Sequence, residues 1–256
     1  MTEDKNTHHY ALTAEDLQNR VLFKDKLIIV VNKPPGIPVH PGPRKYPSLE
    51  DYFGALKFDL PHAPWLAHRL DRDTSGCLIL GRQKKALRRL GKLFESGGIS
   101  KTYWAIVHGG PEEDEGVIDG FLEKEKTPQG WYMKVSDENE NAQRAVTAWR
   151  VVKRAGEWSF LELKPKTGRT HQIRVHCLSL GCPVIGDWVY GPQAKEEEML
   201  PLLHLHARAI EIPLYEGLPP LAIEAPVPPH MEIYVPPHME IYVPPQMAKL
   251  LDDEIE

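Results

Sequence analysis

The chain has 256 residues, 41% hydrophobic and 26% charged, with a formal net charge of −5. Those proportions describe one large globular domain or two small ones. The acidic balance excludes a protein that coats nucleic acid by bulk charge, although a clustered basic face remains compatible with it.

No apolar run of about 18 residues predicts a membrane span. The polar stretch Met1 to His9 lacks the apolar core of a signal peptide, so a cytoplasmic location is expected. Residues 1–19 read as a tail, within which Ala14-Glu15-Asp16-Leu17 can start a short helix. Leu27 to Val31 is a β-branched run that predicts a buried strand, and Lys33-Pro34-Pro35-Gly36 breaks it. The string His68-Arg69-Leu70-Asp71-Arg72-Asp73-Thr74-Ser75-Gly76 follows, and Cys77 to Leu80 is again apolar. This pattern predicts a carboxylate, Asp71, held on a loop edge and braced by a buried strand.

Gln83 to Phe94 has Ala86, Leu87, Leu90 and Phe94 at helical spacing, and Gly97-Gly98 stops it. Positive charge gathers here: Arg82, Lys84, Lys85, Arg88, Arg89 and Lys92. Acidic runs lie elsewhere, at 112–115, 137–140 and 196–198. Lys101 to His108 alternates as a strand, with Tyr103, Ala105 and Val107 on one face. Further strands are predicted at 117–122, 131–135, 145–152 and 158–163. His171 to Leu180 predicts a helix capped by Thr170 and ended by Gly181. Ile173, Cys177 and Leu180 form its apolar stripe, and Arg174 lies off that stripe. Strand runs interrupted by two helices point to an α+β fold.

Near the C-terminus, Val227-Pro228-Pro229-His230-Met231-Glu232-Ile233-Tyr234 recurs unchanged at 235–242, and Val243-Pro244-Pro245 opens a third pass. The repeat is too short for a solenoid unit. Its paired prolines favour extended backbone, and residues 227–256 read as a Pro-rich repeat and acidic tail, a tolerated surface extension.

Cys77, Cys177 and Cys182 read as small core residues without a disulfide. His171 and His176 stand five apart and do not share a helix face, so no metal site is expected. No phosphate-cradling glycine loop of the G-x-x-x-x-G-K-[ST] or G-x-G-x-x-G type is present.

Three segments together resemble the RluA-type pseudouridine synthases, which isomerise selected uridines in RNA. They are the string around Asp71, the segment Lys101-Thr102-Tyr103, and Thr167-Gly168-Arg169-Thr170-His171-Gln172-Ile173-Arg174-Val175-His176 with its continuation Gly186-Asp187 and Tyr190-Gly191. An opening match at Val31 to His40 and a closing one at Leu205-His206-Ala207 fall in the expected order. The resemblance covers about residues 20 to 225, without a basic S4-like module before residue 20. It implies a catalytic domain over 20–226: a mixed, mostly antiparallel bent sheet with flanking helices and a central cleft.

The resemblance further implies that Asp71 is the catalytic carboxylate, that Arg174 pairs with it, and that Tyr103 stacks on the uracil. Arg69 is then the wedge that replaces a flipped base. RNA contacts are expected from Arg69, Arg72, Lys101, Arg169 and His171 within the matching segments, and from Arg82, Lys84, Lys85 and Arg88 in the basic cluster. The substrate is expected to be a tRNA or ribosomal RNA stem-loop and the enzyme a monomer. The isomerisation has no redox change, so no cofactor is expected. Two other readings compete: a catalytically silent RNA-binding or RNA-chaperone protein on the same fold, and a hydrolase built on Ser75 and His68. The hydrolase reading lacks a Gly-x-Ser-x-Gly elbow.

Overall fold

A computed structural model describes residues 12–42, 47–128, 130–192, 201–236 and 239. In chain order they form α1 (Ala14–Asn19), β1 (Val21–Lys24), β2 (Ile28–Lys33), a 3-10 segment (Leu49–Leu56), β3 (Trp65–Leu66), β4 (Ser75–Gly81), α2 (Lys84–Glu95), β5 (Ser100–His108), β6 (Glu115–Thr127), β7 (Gly130–Ser136), β8 (Gln143–Arg154), β9 (Trp158–Pro165), α3 (Gln172–Ser179), β10 (Leu205–Ile212), β11 (Leu221–Glu224) and α4 (Pro229–Glu232). They divide between two compact units. The first holds residues 12–100 with Ala207–Val227, and the second holds Lys101–His206 with Pro228–Pro236.

In the first unit, β2 pairs antiparallel with β1 and β4, and β10 pairs antiparallel with β11. Ile28, Val30, Cys77 and Ile79 contribute one side of its core. Leu90 of α2 and Ile210, Ile212 and Ile223 of the late strands complete it. β4 is buried along its whole length, which is why its sequence reads as a continuous apolar run rather than an alternation. Gly76 sits where no side chain fits. Its φ is +108°, and a Cβ there would lie 2.2 Å from the Ala207 carbonyl oxygen.

The tail expectation needs correction at 14–19. Thr13 and Asp16 form a reciprocal capping box on α1, Leu17 is fully buried, and Gln18 donates to the Ala55 carbonyl.

The second unit is an antiparallel sheet in the order β5-β9-β8-β6-β7. Ala105 and Val107 of β5 pack with Leu161, Leu163, Ile173 and Cys177, and Tyr103 lies against the same cluster. The predicted strand face is therefore the observed one. The 117–122 strand is longer than expected and joins β7 as an extended hairpin. Helix α3 begins one residue later than the Thr170 cap implies. His171, in a left-handed conformation with φ 53° and ψ 16°, occupies the N-cap. All three cysteines are buried thiols.

The first copy of the C-terminal repeat is not wholly extended. Pro228 is (φ −72°, ψ 144°), but Pro229 opens the single turn of α4, as proline at the first helical position can.

Candidate active site

In the first unit, Asp71 lies in the irregular segment between β3 and β4 and is half-buried. Leu70 before it is buried and Arg69 is exposed. His68 accepts the Ile79 amide at Nε2 (2.9 Å), and its ring leans on Phe94. That leaves the other ring nitrogen protonated in the neutral form and makes His68 a strut that ties the segment to β4. It is not placed as a base for Ser75, which is buried inside β4.

The stronger restraint comes from Lys33. Its side chain is fully buried, and Nζ donates to the carbonyls of Pro34 (2.8 Å), Arg72 (2.7 Å) and Thr74 (2.9 Å). The Arg72 carbonyl also accepts the Gly36 amide at 3.1 Å. The strand break Lys33-Pro34-Pro35-Gly36 thus grips the backbone just after Asp71. Burial pulls the Lys33 ammonium down to about 7, against the raising pull of the Asp73 and Asp71 charges. Three carbonyl acceptors use the three N–H bonds of the protonated form. Arg72 itself pairs with its neighbour Asp73 at 3.1 Å.

Arg82 departs from the basic cluster in which its sequence places it. It is buried, and its guanidinium donates to the carbonyls of Asp25 and Lys57 and to the Asp59 carboxylate. This arginine anchors the first unit from inside and is withdrawn from the phosphate-binding set. Lys84, Lys85 and Arg88 are exposed on α2 as expected.

In the second unit, Tyr103 is half-buried on β5 opposite Leu163. Lys101 donates to the Thr167 carbonyl at 3.2 Å, and burial together with the nearby Arg169 charge lowers its pKa. Gln172 organises the turn that leads into α3. Its Oε1 accepts from the Arg169 amide (2.9 Å) and the Thr167 hydroxyl (2.7 Å), and its Nε2 donates to Val146 and Thr147. Arg169 is exposed and donates to the Arg144 carbonyl.

Arg174 is 3% exposed. Asp187 takes its fork in two bonds, Nε to Oδ2 and Nη2 to Oδ1, both 2.7 Å. This is the bidentate geometry that an arginine provides and a lysine cannot. Asp187 Oδ1 also accepts the amides of Val189 and Tyr190 at 3.0 Å each. The Arg174 guanidinium carbon lies 5.1 Å from the centre of the Tyr190 ring. The Tyr190 hydroxyl accepts the Met133 amide (2.9 Å) and bonds His171 Nδ1 (2.8 Å). His171 stacks on the exposed Trp131 at 5.2 Å, and Lys124 Nζ sits 4.2 Å from the centre of the Trp131 ring.

Sequence reasoning assigned no role to Lys33, which holds the Asp71 segment in the first unit, or to Asp187, Tyr190 and Trp131, which hold Arg174 and His171 in the second. Asp187 and Tyr190 do stand inside the third matching segment, and that is the signal that could have found them. Among the described residues, no group of three His, Cys, Asp or Glu side chains is arranged to hold a metal ion.

A family model described as RNA pseudouridylate synthase matches residues 27–179. An uncharacterised RNA pseudouridine synthase of Zymomonas mobilis is 42% identical to this chain, over 83% of it and 95% of that protein. The ribosomal large subunit pseudouridine synthase D of Borreliella burgdorferi is 34% identical, over 82% of this chain and 66% of that protein. Among solved structures, human RNA pseudouridylate synthase domain containing 4 superposes with a TM-score of 0.70 at 29% identity. That likeness covers 84% of this chain and 91% of that one.

Proposed function

This chain belongs to the RNA pseudouridylate synthase family, and we propose that it isomerises uridines in structured ribosomal or transfer RNA, with Asp71 as the catalytic carboxylate. The observation that carries the assignment is the backbone grip of Lys33 on the residues flanking Asp73, which fixes the segment that presents Asp71. Effective catalysis needs reacting groups held to within a fraction of an ångström, and a clamp on two carbonyls of the loop, those of Arg72 and Thr74, supplies that rigidity.

The reaction rearranges bonds without any net exchange of atoms. The C1′–N1 bond of uridine breaks, the uracil turns, C5 joins C1′, the C5 proton leaves and N1 takes one up. Whether the carboxylate adds to the sugar or removes its 2′ proton, it must be ionised. Arg174 is the proposed cation for Asp71, held in orientation by Asp187. Tyr103 is the proposed stacking residue under the uracil, with its hydroxyl at C5. Arg69, exposed beside Asp71, is the proposed wedge for the flipped nucleotide. Lys84, Lys85 and Arg88 are proposed to meet phosphates. The name of the Borreliella relative favours large-subunit ribosomal RNA as the first substrate to try.

The test is tritium release from unmodified RNA labelled at uridine C5. Wild type is expected to release tritium from ribosomal RNA or tRNA transcripts, and Asp71→Asn is expected to release none. A folded wild type that releases none from either, while binding both, would replace this reading with the silent RNA-binding one.

A further inference from the structure

The first repeat copy is seated in a defined socket of the second unit. Met231 is fully buried and Val235 nearly so, whereas Ile233 is 80% exposed. His230 Nε2 bonds the Leu203 carbonyl at 3.2 Å, and its ring meets His204 edge-on at 5.0 Å. Tyr234 packs edge-on against both His204 (5.3 Å) and Trp158 (4.9 Å). The socket itself is rigid. The His204 ring bonds the Leu202 carbonyl at 2.8 Å, its amide donates to Ile185, and its carbonyl accepts the Ile106 amide of β5. Burial lowers the pKa of both histidines, with His204 pulled down to about 4.

Every residue used in this seat is duplicated. Positions 227–237 read Val-Pro-Pro-His-Met-Glu-Ile-Tyr-Val-Pro-Pro, and so do positions 235–245. The third start, at Val243, matters because the buried Val235 lies one residue past the first copy and has Val243 as its exact counterpart in sequence. We propose that the second copy, Val235–Tyr242, is a second occupant of the same socket, so that the C-terminal segment docks in either of two registers eight residues apart. His238, Met239, Tyr242 and Val243 then replace His230, Met231, Tyr234 and Val235.

Two physical points support exchange. Paired prolines restrict the undocked segment, so little chain freedom is lost on docking in either register. The second register only lengthens the connection from β11 to the socket, and loop-closure entropy grows with the logarithm of length. The identical contacts leave that lengthening as the difference between the registers, and it favours the first.

The experiment is hydrogen exchange by mass spectrometry on the full chain with Met231→Asp, which disables the first copy and marks it by mass. Protection is expected to move from residues 227–234 to 235–242, while amides 158–160 and 203–206 stay protected as in wild type. Met231→Asp with Met239→Asp is expected to expose both copies, while the socket amides stay protected by their own strand bonds. Deleting 235–242 alone is expected to leave the seat unchanged, and adding Met231→Asp to that deletion is expected to abolish it. If Met231→Asp alone leaves 235–242 as exposed as the double variant does, the exchange is overturned. Protection of the second copy that rises with protein concentration and accompanies a dimer mass overturns it too, in favour of seating on another chain.

Discussion

Lys33 and Arg72 are 39 residues apart in sequence, and the ammonium of one donates to the carbonyl of the other at 2.7 Å. That bond, with its companion to Thr74, converts a strand break into a restraint on the loop of the proposed catalytic carboxylate. Lys33→Met keeps the bulk and removes the donors. Leaving buried carbonyls unmet costs about 1–3 kcal/mol each, so we expect a stability loss of roughly 3 kcal/mol by urea unfolding. We also expect single-turnover rates to fall by about 100-fold. Unchanged turnover in a destabilised protein would confine Lys33 to the fold.

Asp187→Asn retains an oxygen for the Val189 and Tyr190 amides but removes the charge facing the Arg174 fork. Breaking a buried pair by removing one partner costs about 3–5 kcal/mol, and this variant is expected near the lower end because the turn survives. Chemical denaturation reads the stability, and C5 tritium release reads the activity. A loss below about 1 kcal/mol would show the pair to be idle.

Neighbouring cations should behave oppositely. Changing Lys84, Lys85 and Arg88 together to Gln is expected to leave the melting temperature in place. It should reduce the slope of log binding constant against log salt by about 2 to 3, at roughly 0.7–0.9 per phosphate contact. Arg82→Gln is expected to lower the melting temperature and leave the salt slope alone, since its guanidinium serves Asp25, Lys57 and Asp59. A flattened slope for Arg82→Gln would return it to the RNA surface.

Burial depresses His176 and His204 from 6.5 to about 4. Between those values the unfolded chain binds more protons than the folded one, so stability rises with pH. The second unit is therefore expected to hold its full contribution above pH 6.5 and to lose stability as pH falls toward 4. His176→Gln, which can still bond the Thr147 hydroxyl, is expected to reduce the pH slope of the unfolding free energy in that window. An unaltered slope would mean that His176 titrates normally.

The strands with strong apolar or alternating runs, and the helix over 84–95, were legible because one buried face dictates one period. The helix α3 was legible to within a residue; its cap was not, because a left-handed histidine held by tertiary contacts displaced the threonine that propensity favours. β10 escaped notice because its buried residues include His206 and Arg208, polar types that read as loop until their partners are known. The Arg174–Asp187 pair spans a turn that no helical spacing encodes. Lys33 looked like part of a solvent-facing break, since a lysine among prolines and glycine gives no hint of three inward carbonyls. Arg82 shows the same limit: two positions before α2, it looks identical to the exposed lysines that follow.

The core of the first unit draws Ile210, Ile212 and Ile223 from beyond the entire second unit. A ribosome releases residues 12–100 long before it releases those strands, and synthesis runs at about 5–20 residues per second. For that interval β2, β4 and α2 must present an unfilled apolar face, whereas everything from Lys101 to His206 emerges in one stretch. The N-terminal unit must therefore wait for strands made after residue 206, and the second unit takes its own last piece, Pro228–Pro236, later still; in that window chaperone capture would fall on the Asp71 half of the enzyme.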